Sequence, residues 1–551
     1  MTSVVTAAGV SVTLRGDAAE EAETALQRLI SDGVPGALAA KNASLWGPDA
    51  VSEAGRRLGW LDLAQTSRPL VGPLNELAAD YRAEGLDHFV LAGMGGSSLA
   101  PEVITRTAGV ELTVLDTTDP HQVGRVIADR LERTVVVVAS KSGGTIETDS
   151  HRRVFEQAFA DAGITGDALK RRFVVITDPG SPLENTARQA GYHVVLADPD
   201  VGGRYSALSA FGLVPSALAG ADVGRLLDEA AELTPALRQP YDNPGLALGA
   251  ALGAAAAGGH DKLLLADAGS GITGFGDWAE QLIAESTGKE GKGILPVVLE
   301  GVDAPGFAPS PDARGAVLGS YDASAITVRG PLGAQFLLWE YATAVAGRVL
   351  GINPFDQPNV QESKDNTGAL LKAAEEQGPA AALAAGEPDL VFGAVEVHAD
   401  GAIKAGSLSG ALEELLGLIP AHGYLAVMAY LDRTGRDAGA AALRELLAVR
   451  AQRLRGQQST AHVTFGWGPR FLHSTGQYHK GGPQNGVFLQ LTGEVERDVP
   501  VPGRPYTFGT LQLAQAVGDL RALRSRGRPA VRIHLRDRAE GLAQLLDALE
   551  N

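Results

Sequence analysis

The 551-residue chain contains no cysteine, which excludes disulfides, thiolate metal sites and cysteine nucleophiles together. Positive charge is in deficit. Against 65 Asp and Glu stand 47 Lys and Arg, a formal net charge of −18, which argues against sequence-independent nucleic-acid binding as the main activity. Long apolar runs are also missing: the best, around 336–352, carries Glu340 and Arg348 and falls short of a membrane span. The opening residues, MTSVVTAAGVSVTLRGDAAEEAE, lack a charged n-region ahead of a long apolar stretch, so no signal peptide is expected. A reducing, cytoplasmic setting fits these absences. No Asp/His cluster falls at metal-ligand spacing, so no metal is expected.

Glycine is abundant instead. It supplies 69 of 551 residues, about 12% against a usual figure near 7%. With no collagen-like period, these glycines are expected in turns, helix ends and ligand-facing loops. Residues 17–32 read as an amphipathic helix. From about residue 85, Val-rich runs alternate with helix-length segments: HFVLAG (88–93), ELTVLD (111–116), RTVVVVAS (133–140), RFVVITD (172–178) and HVVLAD (193–198). Such runs indicate parallel strands buried on both faces of a doubly wound α/β sheet. A second unit begins near 220, with an Ala/Gly-rich helix (244–258), strands at 262–269 and 326–330, and a helix over 336–351 that stops at a glycine. Segment 300–325 reads as surface loop, and 371–387 as a helix plus connector. Further strands are expected at 424–432, 461–468, 486–493 and 530–537, with a helix at 437–455 between them. The predicted division is 1–220, 221–375 and 376–551, and residues 85–215 and 244–370 could be two related units.

Three loops carry candidate chemistry. LAGMGGSSLAPEV (91–103) turns tightly through Gly93, Gly95 and Gly96, and Ser97-Ser98 then open a helix. Exposed amides and the positive dipole end suit a phosphate dianion. A dinucleotide site is the competing reading, with Asp116 as the ribose ligand. SKSGGTIETDS (140–150) places hydroxyls and Lys141 just past a strand's end, where α/β sheets bind ligands; a capping box with Thr145 or Ser142 as N-cap is the ligand-free alternative. In DVGGRYSALSAFGL (200–213), Arg204 follows two glycines and precedes apolar residues, which suggests an anchored guanidinium.

The ordered set GMGGSSLAP, SKSGGTIET, GGRYSALSAFGL, QLIAESTGK and INPFDQPNVQESK resembles glucose-6-phosphate isomerase, whose sugar-isomerase (SIS) domains bind phosphosugars. The resemblance runs from about 85 to 370. Beyond it, STGQYHKGGP is similar to a segment in the isomerase portion of fused transaldolase–isomerase proteins. The resemblance implies two SIS-type α/β domains with an added C-terminal α/β region. It implies interconversion of glucose 6-phosphate and fructose 6-phosphate through a cis-enediol(ate), with no cofactor, and a homodimer acting on a small sugar phosphate. Glu285 matches the family's catalytic base and Gln281 a sugar-contacting glutamine one helical turn earlier. Arg204 matches the arginine beside the enediolate, and Lys364 the lysine that contributes to ring opening, with Ser363 where a glycine is usual. Gly96, Ser97, Ser140, Lys141, Ser142 and Thr145 match phosphate contacts. No histidine lies between Glu285 and Lys364. The expected ring-opening histidine is therefore His479, in HSTGQYHKGGP with Gln477, and His473 is the reserve. To reach the site, the third region must fold back over the first two, or another subunit must supply it. A phosphosugar-binding regulator and an isomerase that also accepts mannose 6-phosphate are the alternatives.

Overall fold

Runs that are apolar at every position leave no face for water, and in the structure, a computed structural model, His88–Gly93, Thr134–Ala139 and Phe173–Thr177 are buried throughout. His193–Leu196, at the sheet's edge, is partly exposed and corrects the expectation of burial on both faces. The structure describes residues 1–550 apart from 309, 380–382, 384–385 and 457–460. The first sheet is wholly parallel, in the order Thr113–Leu115, His88–Gly93, Thr134–Ala139, Phe173–Thr177, His193–Leu196. The chain leaves His88–Gly93 toward one side and resumes on the other at Thr134–Ala139. Their carboxyl ends therefore form the topological switch point, the usual place for a ligand in such a sheet. Both glycine-rich loops spring from these two strands.

The second sheet has the order Thr2–Ala7, Val10–Arg15, Ile326–Arg329, Ala313–Gly319, Lys262–Ala268, Leu295–Val298. It corrects one sequence expectation and adds a hairpin that the sequence reading did not address. The segment 300–325 is not all loop, since Ala313–Gly319 pairs on both sides with neighbouring parallel strands. The amino-terminal residues form a hairpin whose second strand adds antiparallel to Ile326–Arg329, ahead of the expected helix, which spans Asp17–Ser31.

The Ala/Gly-rich helix is explained by its neighbour. Along Pro244–Ala257, a Cβ on Gly245, Gly249 or Gly253 would come within 2.6 Å of side-chain atoms of Tyr341, Val345 and Val349 respectively. Only glycine lets this helix lie so close to Leu332–Leu350. Within that second helix Glu340 is fully buried, and burial raises its carboxyl well above the ordinary value. Such burial favours its neutral form. Among the described residues no helix is long and apolar enough to cross a membrane.

The third sheet runs Leu390–Phe392, Val395–His398, Ala530–Leu535, Gly486–Gly493, Tyr424–Tyr430, His462–Trp467, the last four parallel. Helix Val360–Gln377 precedes it, and most of the connector expected within 371–387 lies outside the described residues. The α/β class with three largely parallel sheets is as the sequence predicted. This last unit docks on the first through buried charge. Arg538 Nη1 donates to Asp119 Oδ2 at 2.8 Å and to Asp437 Oδ2 at 2.9 Å, while Arg433 and Arg470 both pair with Glu102 and Asp116.

Candidate active site

The two glycine-rich loops each deliver a helix whose first amides have no side-chain cap. Ser98 occupies the N-cap position of Leu99–Ala108 and Thr145 that of Ile146–Asp161, yet neither makes a capping bond. Thr145 Oγ1 instead accepts from Ser140 Oγ at 3.0 Å, so the capping-box reading of this loop does not hold. Two helix ends with unsatisfied amides at one switch point favour an anion between them.

The third loop reaches this point by backbone contact. A Cβ on Gly96 would lie 1.9 Å from the carbonyl oxygen of Gly203, so the first turn is packed directly against the one that carries Arg204. We expect Gly96→Ala to push these two backbones apart and to lower kcat/KM for the phosphosugar by about 10²-fold, because misplacement near 1 Å costs that much. Steady-state kinetics check it; near-normal kinetics would mean the contact does not align the site.

Arg204 is held on every side. Its Nε donates to Ser286 Oγ at 2.8 Å, Nη1 to Gln357 Oε1 at 3.0 Å, and Nη2 to the carbonyls of Pro354 and Asp356 at 2.8 and 3.0 Å. Nη1 also lies 3.2 Å from Glu285 Oε1. Helix Phe275–Thr287 puts Gln281 on the same face as Glu285, and Gln281 Nε2 donates to Glu285 Oε2 at 3.1 Å and to the carbonyl of His473 at 2.7 Å. The carboxylate is thus pinned by a guanidinium on one oxygen and an amide on the other. Beneath them Lys289 Nζ donates to Asn353 O, Asp356 O and Asp356 Oδ1. Burial, then Arg204, lowers its ammonium to about 8, and the lysine joins the 279–289 motif to the 352–358 motif.

Gly96, Ser97, Ser140, Lys141, Ser142, Thr145, Arg204, Gln281, Glu285 and Lys364 all line one cavity of about 580 Å³, together with His473. Arg56 and Arg57 line it as well, and the sequence reading missed them. The cavity walls hold five Arg and Lys against Asp178, Asp200 and Glu285, a cationic pocket in an acidic chain. Lys141 does not stand free, since its Nζ lies 2.6 Å from Asp178 Oδ2 and 3.2 Å from the carbonyl of Pro199. Asp116, the residue a dinucleotide would need, is buried against Ser98, Arg433 and Arg470, so the dinucleotide reading is set aside.

His479 is the correction. It lies outside the cavity, 2% exposed, with its ring 5.1 Å from Phe488 and 6.1 Å from Phe471. Burial, aided by Lys480 and Arg528, drives its imidazole well below the ordinary value, and neither ring nitrogen has a partner. The short helix Gly476–Gly481 turns it into the core. Gln477 serves as a clamp, donating to Gly288 O at 2.9 Å and Asn359 Oδ1 at 2.8 Å. The reserve, His473, takes the place at the cavity, and the third region of the same chain supplies it. Its Nε2 lies 2.9 Å from Glu147 Oε1, which also accepts from Gln515 Nε2 at 2.7 Å. A carboxylate only accepts, so Nε2 carries the hydrogen and Nδ1 is left to take a proton.

Glu147 was passed over in the sequence because its neighbours in SKSGGTIET drew attention to hydroxyls. Burial opposes its ionisation, but the charge and hydrogen bond of His473, then its own amide and His151, outweigh that and bring the carboxyl to about 2 from an ordinary 4.5. A carboxyl lowered in the fold contributes stability above the ordinary value and loses it as pH falls toward the folded one. Between pH 4.5 and 2 this group should cost the fold on the order of 3 kcal/mol. Urea titrations at stepped pH should show that loss, and Glu147→Gln should show a correspondingly shallower one.

A family model described as phosphoglucose isomerase matches residues 79–239. A glucose-6-phosphate isomerase of Rubrobacter xylanophilus is 30% identical over 387 residues, covering 57% of this chain and 89% of that protein. A probable glucose-6-phosphate isomerase of Haloarcula marismortui is 36% identical over 215 residues, covering 38% of this chain and 48% of that one. This chain therefore spans nearly all of the first relative and about half of the second. The crystal structure of a glucose-6-phosphate isomerase from Chlamydia trachomatis aligns with a TM-score of 0.53 at 19% identity, over 69% of this chain and 91% of the other. That likeness speaks for a shared fold.

Proposed function

The chain belongs to the phosphoglucose isomerase family, and from that premise we propose that its cavity interconverts glucose 6-phosphate and fructose 6-phosphate by proton transfer from Glu285. The observation that carries the reading is the pinning of Glu285 between Arg204 and Gln281 in a cavity that also receives two uncapped helix ends.

The phosphate sits among the amides and hydroxyls of the loops 95–98 and 140–145, with Lys141, Arg56 and Arg57 supplying charge around it. Anchoring the dianion fixes the sugar's far end, so that C1 and C2 present themselves to one carboxylate. Glu285 removes the proton from one of these carbons and returns it to the other. Arg204, always charged and already hydrogen-bonded, stabilises the negative charge that develops on the enediolate oxygens without reorganising. His473 Nδ1 takes the proton of the anomeric hydroxyl as the bond from that carbon to the ring oxygen breaks, and returns it to that oxygen, while Glu147 holds the imidazole's orientation. Lys364 lies on the wall beside His473 and neutralises sugar oxygens during opening. A sensor of phosphosugars would have no use for a carboxylate held over neighbouring carbons, so no observation favours the regulator. A homodimer and a cytoplasmic setting belong to the same reading and rest on the family resemblance.

A coupled assay with glucose 6-phosphate tests the reaction, and His473→Gln tests the division of labour. This variant should lower turnover of fructose 6-phosphate by about 10²-fold, the usual contribution of a positioned acid–base group. It should leave 5-deoxyfructose 6-phosphate, which has no hydroxyl with which to close its furanose, near the wild-type rate. Equal losses on both substrates would remove His473 from ring opening.

A further inference from the structure

The third sheet has its own switch point. From Tyr424–Tyr430 the chain goes to one side, to His462–Trp467, then returns past the first strand to Gly486–Gly493 and on to Ala530–Leu535. The crevice at the carboxyl ends of Tyr424–Tyr430 and Gly486–Gly493 is where such a sheet receives a ligand, and a cavity of about 350 Å³ opens there. Tyr430, Thr492, Arg532 and His534 line it. None of its lining residues belongs to the cavity that holds Glu285.

Arg532 is 5% exposed and makes no ion pair with a described carboxylate. Its Nε donates to Thr492 Oγ1 at 3.0 Å, and its Nη1 is buried without a partner. The carboxylate whose charge bears on it most is Glu396, from the neighbouring strand. A guanidinium cannot shed its proton to escape such a position, and an unpaired buried charge is among the more costly features a fold can carry. Tyr430 is fully buried, and its hydroxyl also lacks a partner. Two buried donors without acceptors, on the walls of one cavity at a switch point, are matched by an anion.

The surroundings narrow the class. Thr492 Oγ1 already meets His534 Nδ1 at 3.0 Å as well as Arg532. The nearby amides of helix Phe508–Ser525 are taken, Gly509 N by Asp498 and Thr510 N by Thr507. Among the described lining residues, Arg532 Nη1 and the Tyr430 hydroxyl are the buried side-chain groups left without a partner. Glu494 and Asp498 also line the cavity, and their charge opposes a phosphate dianion. A single carboxylate accepts from the guanidinium fork and the phenol with half that repulsion. We propose that this cavity is a second ligand site, separate from the phosphosugar site, that takes a small organic monocarboxylate on Arg532 and Tyr430.

Pyruvate is a suitable probe, with inorganic phosphate and glycerol as comparisons, read by titration calorimetry on the full chain. Pyruvate should bind saturably at one site per chain and equally well in Glu285→Gln. Arg532→Lys, which keeps charge but loses the fork, should weaken it at least tenfold, and Tyr430→Phe should weaken it severalfold. If Arg532→Lys lowers the melting temperature of the free protein, Tyr430→Phe, which removes one hydroxyl, carries the comparison alone. The proposal is overturned by the absence of saturable pyruvate binding, by binding that Tyr430→Phe leaves unchanged, or by tighter binding of phosphate than of pyruvate at the Arg532-dependent site.

Discussion

Glu285→Gln should reduce kcat for glucose 6-phosphate by on the order of 10³-fold, the scale lost with a positioned general base, while KM changes by no more than a few-fold. The two quantities separate because the proposed reaction gives phosphate binding and proton transfer to different residues. Gly96, Ser97, Ser140 and Thr145 lie on the two strand-end loops, whereas Glu285 projects from a helix of the second unit. Glutamine has nearly the shape of glutamate and can still accept from Arg204, so the cavity should survive the change. Glu285→Asp is a second measure of the same point. It keeps the charge but withdraws the carboxylate by one methylene, and a displacement near 1 Å is expected to cost about 10²-fold. Turnover close to wild type in the glutamine variant would remove Glu285 from the reaction and leave the cavity a binding site only.

The second large effect is on stability. Arg538→Met should destabilise the protein by about 3–5 kcal/mol, the range for breaking a buried ion pair from one side. Arg538 is 1% exposed, and Asp119 and Asp437, whose oxygens it holds, are 0% and 2% exposed. Methionine fills much of the space but leaves two carboxylates facing each other without a counter-ion. Asp119 keeps the amides of His121 and Gln122 and the side-chain amide of Gln512, and Asp437 keeps the amide of Asp432, neutral donors that do not replace a cation. The urea midpoint reports the loss. In the Arg538→Met background, Asp437→Asn should restore part of it, although the same change weakens the wild type. Absence of that reversal would show that the cost comes from lost packing of the arginine stem and not from uncompensated charge.

How far the sequence could be read depended on whether the signal was local. Thr134–Ala139 announces itself because four successive valines must be buried, and the loops after it and after His88–Gly93 place their ligands within a few residues. Ala313–Gly319 gave no such signal. ARGAVLG has a single β-branched residue and two glycines, and it is a strand because both neighbours are already in place. Leu295–Val298 carries Pro296, tolerated because this strand pairs only with Lys262–Ala268 at the sheet's edge. VSVTLR (10–15) went unread as a strand, and its partner Ile326–Arg329 lies some three hundred residues away. At the site, Glu285, Gln281 and Arg204 were named from their motifs and line the cavity, whereas His479 was placed ahead of His473, the one of the two that lines it. His473 ends one helical turn and His479 sits in the next, and no pattern in the sequence says which of two such turns faces inward. Arg56 and Arg57 follow a short helix outside every motif and reach the cavity where Leu58 forms a backbone bridge with Val201 and Arg57 donates to the carbonyl of Pro199.

The order in which these parts leave the ribosome has a consequence of its own. Arg204, Glu285 and the two glycine-rich loops are all synthesised in the first two-thirds of the polypeptide, but His473 comes later, and Gln515, which donates to its partner Glu147, later still. On the proposed reaction, a nascent chain should therefore grip substrate before it can open the sugar ring, and a frameshift between residues 364 and 473 should remove the imidazole while sparing Arg204, Glu285 and Lys364.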